Sequence, residues 1–419
     1  MTQNEPDSAL KPYRVLDLTD EKGFFCGRIL GDLGMDVLKI EKPDGETQKY
    51  FAKYYQANPK HRKLLYYLAY NINKRGITLD IENDEGKRIF LNLVKKSDFL
   101  VESFSPMYMG NLGLDYETLK QLNPKLIFVS ITPFGQTGPH KDHKASDLTL
   151  MARGGLMFLT GDNDRPPIRI TVPQAYLHGG VQAASGAMVA LYHREQTNEG
   201  QHVDISIQQA LVMSTLNSPA FWFLNQSIVH RAGPFREGGR LNIKQRVTWP
   251  CKDGYIATHI VGGKLGAAVN KKLADWMESE GMSNAFLRNI NWENLDMAKI
   301  TSDFQTAIDE PIAQFFKSHT KKELYEGALQ RKIWLYPVQD CQEVINSPQL
   351  AARNYWIEVD HPELGNKIMY PRFPVQATEN QYPIRCKAPY PGEHNSDIYE
   401  QELGINKKEL TTLQQKSVI

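Results

Sequence analysis

Cysteine is scarce in this chain of 419 residues: the four, Cys26, Cys251, Cys341 and Cys386, lie far apart and form no C-x-x-C pair. That spacing argues against a zinc site or a disulfide framework and fits reduced thiols in the cytosol. No charge of one sign dominates either, with 49 basic against 48 acidic side chains and a formal net charge of +1. The balance gives no electrostatic reason for nucleic acid or a membrane surface as partner, while leaving room for a local basic patch around a small phosphorylated ligand. The opening MTQNEPDSALKP is polar and has no apolar segment of the secretory kind. No apolar run is long enough to span a bilayer. The G-x-G-x-x-G loop, Walker A, the G-x-S-x-G elbow and H-E-x-x-H are all missing, as are repeats and low-complexity stretches. A cytoplasmic protein with no metal is the expectation.

What is present is alternation. With 41% hydrophobic residues the chain can bury a large core, and its length exceeds the roughly 250–300 residues at which single cores stop growing, so two lobes are expected. Residues 13–18 read as a strand and 24–33 as a helix stopped by Gly34. Residues 36–40 read as a second strand, completing a βαβ unit with parallel pairing. Helices over 85–94 and 116–122 and strands over 99–101 and 126–131 continue the series, which predicts an open α/β sheet. Ligands of such sheets bind beyond the carboxyl ends of the strands, here Glu41-Lys42-Pro43, Glu102-Ser103-Phe104 and Thr132-Pro133-Phe134-Gly135. The small-residue stretch 174–193 predicts a central buried helix, followed by a strand over 203–207 and a helix over 208–224. The boundaries this suggests are 1–224 for a large α/β lobe, 225–334 for a mainly helical smaller lobe with a basic opening (Arg231, Arg236, Arg240, Lys244, Arg246), and 335–419 for a return to the first.

Several blocks in fixed order carry a resemblance. RVLDLT…GRILGDLGMDVLKIEKPDG, NINKRGITLDI, DFLVESFSP…LGLDYETL, NPKLIFVSITPFGQTGP, VALYHREQTNEGQHVDIS, YPVQDCQEVINSPQLAARNYW and PYPGEHN run through nearly the whole chain. Together they resemble the class III CoA-transferases, the formyl-CoA transferase and carnitine CoA-transferase type. The resemblance implies a Rossmann-like large lobe built from both chain ends, a smaller lobe between them, and two interlocked ring-like subunits. It implies coenzyme A or acyl-CoA as a substrate, with no permanently bound cofactor. Carried over by position, Asn73, Lys74 and Arg75 would approach the nucleotide end of CoA. Lys39, Lys42 and Lys49 would meet its phosphates as point charges, Lys144 the pyrophosphate and pantetheine, and Phe104 the adenine or pantetheine arm. Each has an ordinary alternative as a solvated turn, a surface lysine or core packing. Ser103 stands where the family commonly has asparagine, and Asn111 where it has a basic residue; loss of that charge would remove a contact of about 1.5–3 kcal/mol.

The larger departure concerns the chemistry. In the family an aspartate precedes the small-residue helix, and aligning Gly180 places Tyr176 on it. That carboxylate attacks the donor thioester to give a mixed anhydride, and the released CoA thiolate then attacks the aspartyl carbonyl carbon. Tyrosine has a pKa near about 10 and no acyl carbon on which CoA could rest. Asp162 and Asp164 belong to an upstream loop, Asp147 suits an orienting role, and His178 could act as a base or serve structure. Ser146 and Tyr176 replace the His/Asp pair of the racemase branch. The resemblance is therefore to the aspartate-free subunit of heteromeric members, such as the succinyl-CoA:benzylsuccinate CoA-transferases. This implies an aspartate-bearing paralogue as partner, and acyl-CoA and carboxylic acid substrates. A homodimer with an unrecognised carboxylate and a non-catalytic acyl-CoA-binding protein remain the alternatives.

Overall fold

The structure is a computed structural model describing residues 8, 10–43, 45, 62–236, 244–362 and 365–419. Lys49 and Arg240 lie outside these described residues. Two compact units divide the chain. The first comprises Met1–Gly154, Thr171–Ser214 and Pro348–Ile419, and the second Gly155–Ile170 and Thr215–Ser347.

The first unit is mixed α/β. In chain order it contains β1 (Arg14–Leu18), α1 (Phe24–Asp32), β2 (Asp36–Glu41), α2 (Arg62–Tyr70), β3 (Lys74–Thr78), α3 (Asp84–Val94), β4 (Phe99–Glu102), the short α4 (Tyr108–Asn111), α5 (Tyr116–Leu122), β5 (Ile127–Thr132), α6 (Asp147–Arg153), α7 (Ala175–Thr197), β6 (His202–Ser206) and α8 (Ile207–Ser214). Its six strands pair parallel in the order β3-β2-β1-β4-β5-β6, so the order reverses between β1 and β4. A parallel sheet covered on both faces needs near-continuous apolar strands, and β5 (IFVSIT) is buried at every position. The edge strand β3 is closed by the C-terminal segment. Gly76 N donates to His394 Nδ1 and Thr78 N to Asn395 Oδ1, while Tyr399 Oη donates to the Thr78 carbonyl. These bonds satisfy a row of groups that an open edge would leave exposed.

Helix α7 is the small-residue helix expected over 174–193. Its Ala183, Ala184, Ala187 and Ala190 are buried, and it runs on to Thr197. The glycines let α1 approach: a Cβ on Gly180 would stand 2.9 Å from Phe25 Cβ and 3.1 Å from Cys26 N. Gly180→Leu is expected to destabilise the protein by roughly 1–3 kcal/mol, seen as a lower urea midpoint at unchanged slope.

The expected helix over 208–224 is two helices, α8 and α9 (Asn217–Asn225). Pro219 has no N–H to give the Thr215 carbonyl, and the interruption falls there. The unit boundary also lies there, ten residues before the expected 224. In the second unit, α9 is followed by β7 (Phe235–Arg236), β8 (Gln245–Arg246), β9 (Thr248–Cys251), β10 (Gly254–Thr258), α10 (Gly263–Ser279), α11 (Ala285–Asn289), α12 (Ser302–Ser318), α13 (Lys321–Arg331), β11 (Leu335–Pro337) and α14 (Cys341–Ile345). The lobe is mainly helical, as expected, and adds an antiparallel sheet of β9, β10 and β11 over a core that includes Trp249, Trp276 and Phe315. One further boundary is corrected. Pairing of β11 with β10 also holds residues 335–337 in this unit, and the return begins at 348 rather than 335. Residues 155–170 join it as well, since Arg231 donates to the Asp162 and Arg165 carbonyls and Gly233 N to Gly161 O. The chain re-enters the first unit with α15 (Pro348–Ala352), β12 (Trp356–His361), β13 (Asn366–Pro371) and α16 (Lys407–Gln415). Among the described residues no helix is long and apolar enough to cross a membrane.

Candidate active site

The strand order reverses between β1 and β4, and in sheets of this kind ligands bind beyond the carboxyl ends at such a point. The loops leaving these strands are bound to each other. Asp20 N donates to Ser103 Oγ at 2.9 Å, Ser103 Oγ donates to Asp20 Oδ1 at 2.8 Å, and Lys22 pairs with Asp20. Phe104 N donates to Glu102 Oε2 at 2.7 Å.

Tyr176 stands in the first turn of α7, 6% exposed. Asp147 Oδ1 accepts from the Ala175 N–H at 2.8 Å and from the Tyr176 N–H at 3.4 Å, so this carboxylate anchors the helix start. Burial pushes the Tyr176 phenol far above the ordinary tyrosine range, and the nearby Glu21 and Asp20 push it further. The phenol is therefore neutral at physiological pH and faces three carboxylates, Glu21, Asp20 and Asp147. Such surroundings disfavour a further anion. His178 lies two positions along α7, a separation that turns it about 200° around the helix. Its side chain makes no hydrogen bond or ring contact among the described residues, and it is not placed to serve the Tyr176 oxygen. Ser146 caps α6 in a capping box with Thr149. Asp162 and Asp164 belong to the second unit.

Most of the expected CoA contacts prove to be internal. Lys74 is 0% exposed; its Nζ pairs with Asp17 Oδ2 at 2.7 Å and donates to Phe24 O and Asn71 Oδ1. Lys39, 1% exposed, donates to the Thr19 carbonyl and lies 3.8 Å from Asp17 Oδ1. Burial alone would raise the Asp17 carboxyl, but Lys74 and Lys39 outweigh it and hold it below the usual range. Asn73 is buried, its amide donating to Asp32 Oδ1 and to Pro383 O while its oxygen accepts from Arg385 N. Arg75 is shared between Asp36 and Glu402, and Ser103 is taken up by Asp20. Burial thus turns Lys39, Lys74 and Asn73 away from a phosphate site, while Arg75, partly exposed, and Ser103 have internal partners. Lys42 remains at the surface beside Glu82 and Asp80. Half-buried Phe104 stacks on Tyr108 at 4.3 Å, and Asn111 and Lys144 are exposed.

One strand-end residue was given no role of its own in the sequence reading. Glu102, 3% exposed, ends β4, and burial pushes its carboxyl up to about 7 against the hydrogen bonds from Ser130 and Phe104 N. A glutamate closing an otherwise apolar strand (FLVE) was the available signal. Among the described residues no group of three or more His, Cys, Asp or Glu could hold a metal ion.

A parallel sheet with its loops gathered at the reversal point defines a mixed α/β protein of the kind seen in solved structures. A CAIB/BAIF family protein from Brucella suis superposes with a TM-score of 0.79 at 25% identity, covering 94% of this chain and 99% of the other. The chain belongs to CoA-transferase family III, whose sequence model matches residues 10–395. It is 34% identical to the succinyl-CoA:(R)-benzylsuccinate CoA-transferase subunit BbsE of Thauera aromatica, over 92% of each chain. It is 28% identical to the formyl-CoA:oxalate CoA-transferase of Streptomyces avermitilis, over 98% of this chain and 99% of the relative.

Proposed function

We propose that this chain is the non-nucleophilic subunit of a heteromeric class III CoA-transferase that moves CoA between an acyl-CoA such as succinyl-CoA and a carboxylic acid. The reading rests on Tyr176, a buried, neutral phenol facing Asp20, Glu21 and Asp147, at the position where the family resemblance expects the carboxylate. No acyl group can be held on a phenol in a way that parks CoA, because the intermediate needs a carbonyl carbon. The covalent step then belongs to an aspartate-bearing paralogue. Likeness to a protein named as a subunit supports the heteromer. So do Val181, Val189 and Tyr192, exposed by 42, 69 and 71% on one side of α7 among the polar Gln182, Ser185 and Gln196. A Rossmann-like lobe and an interlocked ring-like assembly complete the proposal. Lys42, Phe104, Asn111 and Lys144 are the positions left to meet CoA, and the cytoplasm is the compartment.

The test is CoA transfer from succinyl-CoA to carboxylic acids by the pure chain and by the chain co-expressed with an aspartate-bearing family member. Hydroxylamine trapping and peptide mass spectrometry then locate the thioester. Activity only in the mixture, with the modification on the partner, is expected. In that mixture Tyr176→Phe should keep kcat within about twofold, since a group without a chemical role removes no transition-state interaction. A modification on this chain would overturn the proposal and point to a carboxylate such as Asp162 or Asp164. CoA binding without transfer in every mixture would instead favour a non-catalytic acyl-CoA-binding protein.

A further inference from the structure

Glu102 has a connection to solvent that the site itself does not use. Glu102 and Ser130 are cross-strand partners on β4 and β5, and Phe128 is paired with His202 on β5 and β6. Partners across a parallel ladder, and residues two apart on one strand, share a face of the sheet. Glu102, Ser130 and His202 therefore stand in a row on the same face. Ser130 Oγ lies 2.9 Å from His202 Nε2, and across the ladder the Ser130 hydroxyl faces the Glu102 carboxyl and favours its ionised form. Glu102 and Ser130 are buried, whereas His202 is exposed on β6, the outer strand of the sheet. Its ring is fixed by stacking on Tyr116 (5.8 Å, 28°) and by the edge of Phe128 (5.2 Å, 87°).

We propose that Glu102, Ser130 and His202 form a proton relay through which the buried carboxyl beneath the site loops exchanges its proton with solvent. A serine hydroxyl has one hydrogen, so it orders the row in two ways. With Glu102 ionised, His202 Nε2–H donates to Ser130 Oγ, and Ser130 O–H donates to the carboxylate. For protonation, a solvent proton binds His202 Nδ1, the Nε2 proton passes to Ser130 Oγ, and the Ser130 proton passes to Glu102. The end state is a neutral carboxylic acid donating to Ser130, which donates to the bare Nε2, with the imidazole in its Nδ1–H form. One proton is taken from solvent, one resides on Glu102, and the imidazole is neutral before and after.

The groups facing this row are few. Lys22 and Asp20 approach Glu102 from the loop after β1, the first favouring the carboxylate and the second opposing it. Asp204 on β6 and Glu117 on α5 favour a charged His202, but loss of water from the part of the ring held against Tyr116 and Phe128 outweighs them and lowers its pKa. Both the direction of that shift and the bond to Ser130 Oγ favour the neutral imidazole. A purely structural hydrogen bond would keep one tautomer throughout; the relay requires the tautomer to change with Glu102.

The measurement is a long-range proton–nitrogen correlation spectrum of the full chain labelled with ¹⁵N-histidine, taken from about pH 6 to pH 8, where neutral imidazole tautomers are distinguishable. The His202 signals are assigned by their loss in His202→Gln. Expected is an Nε2–H pattern at the alkaline end passing to Nδ1–H at the acid end, with the midpoint of the Glu102 carboxyl signal in ¹³C-glutamate-labelled protein. Ser130→Ala should abolish the transition and raise the Glu102 midpoint, and Ser130→Thr, which keeps the hydroxyl, should restore both. Should Ser130→Ala fail to fold, Glu102→Gln provides the independent reading. Its amide donates to Ser130 as the acid does and should hold His202 as Nδ1–H at every pH. A tautomer that does not change while Glu102 titrates, or that is unaltered in Glu102→Gln, would overturn the relay.

Discussion

Asp17→Asn is expected to destabilise the protein by about 3–5 kcal/mol, the range for a buried ion pair that loses one partner. The site holds two ammonium groups and one carboxylate, with side-chain exposures of 2%, 0% and 0% for Lys39, Lys74 and Asp17. Asparagine leaves both lysines facing only carbonyl and amide oxygens. Lys74→Met should cost less, because Asp17 keeps Lys39 at 3.8 Å and hydrogen bonds from Thr19 N and Thr19 Oγ1 at 2.9 and 2.6 Å. The order of the two therefore reports the charge count rather than the volume removed. In the double variant the surviving Lys39 still donates to the Thr19 carbonyl, so it should be less destabilised than the sum of the two single changes. Urea unfolding of the three variants measures this, and a strictly additive result would remove the coupling. Gly27 reflects the same crowding: a Cβ there would stand 2.2 Å from Asp17 Oδ2 and 2.8 Å from Lys74 Nζ. A glycine inside α1 costs about 1 kcal/mol relative to alanine, and here it makes room for the ion pair. What the cluster supports is the Thr19–Phe24 turn, which carries Asp20 and Glu21 towards Tyr176.

These lysines also show where the sequence misleads. The strands of the first unit are legible because a two-sided parallel sheet demands runs such as VLDL, DVLKI and LIFVSI, and Gly34 marks the end of α1. Lys39 sits inside such a run, between Leu38 and Ile40, which are themselves buried. A charge in a strand covered on both faces must find an internal partner, and that condition was available for Lys39 before any family position was carried over. Lys74 and Asn73 sit at the start of β3, and nothing local distinguishes an inward from an outward basic residue there. Their partners Asp17, Asn71 and Arg385 come from β1 two strands away, the preceding turn and the far end of the chain. The antiparallel sheet of the second unit was hidden for a similar reason. β9 contains Pro250, and β10 finds its second neighbour, β11, nearly 80 residues later. By contrast, Tyr176 could be singled out from the sequence because its argument is chemical: a missing acyl carbon is missing whatever the fold does.

The stability difference between the natural chain and Glu102→Gln is expected to depend on pH, and the sign is fixed by the direction of the shift. The Glu102 carboxyl rises from its ordinary 4.5 to about 7 in the folded protein, first through burial. Between these values the native state holds a proton that the unfolded chain has released, so native stability falls as pH rises through this window and levels off above it. The span of 7 − 4.5 = 2.5 units corresponds to roughly 3 kcal/mol at 1.36 kcal/mol per unit. Glutamine is neutral at all pH and can occupy the same bonds, its oxygen accepting from Phe104 N and its amide donating to Ser130. Stabilisation by Glu102→Gln should therefore be near zero below about pH 4.5 and approach its full value above about pH 7. Denaturant titrations of both proteins at a series of pH values give the difference curve directly, with other titrating groups cancelling between them. A flat curve would show that the carboxylate is as well solvated in the fold as outside it. A rising one would establish an ionisable group poised near neutrality under the loop that joins Ser103 to Asp20, which is the position from which its charge can act on whatever binds beyond the strand ends.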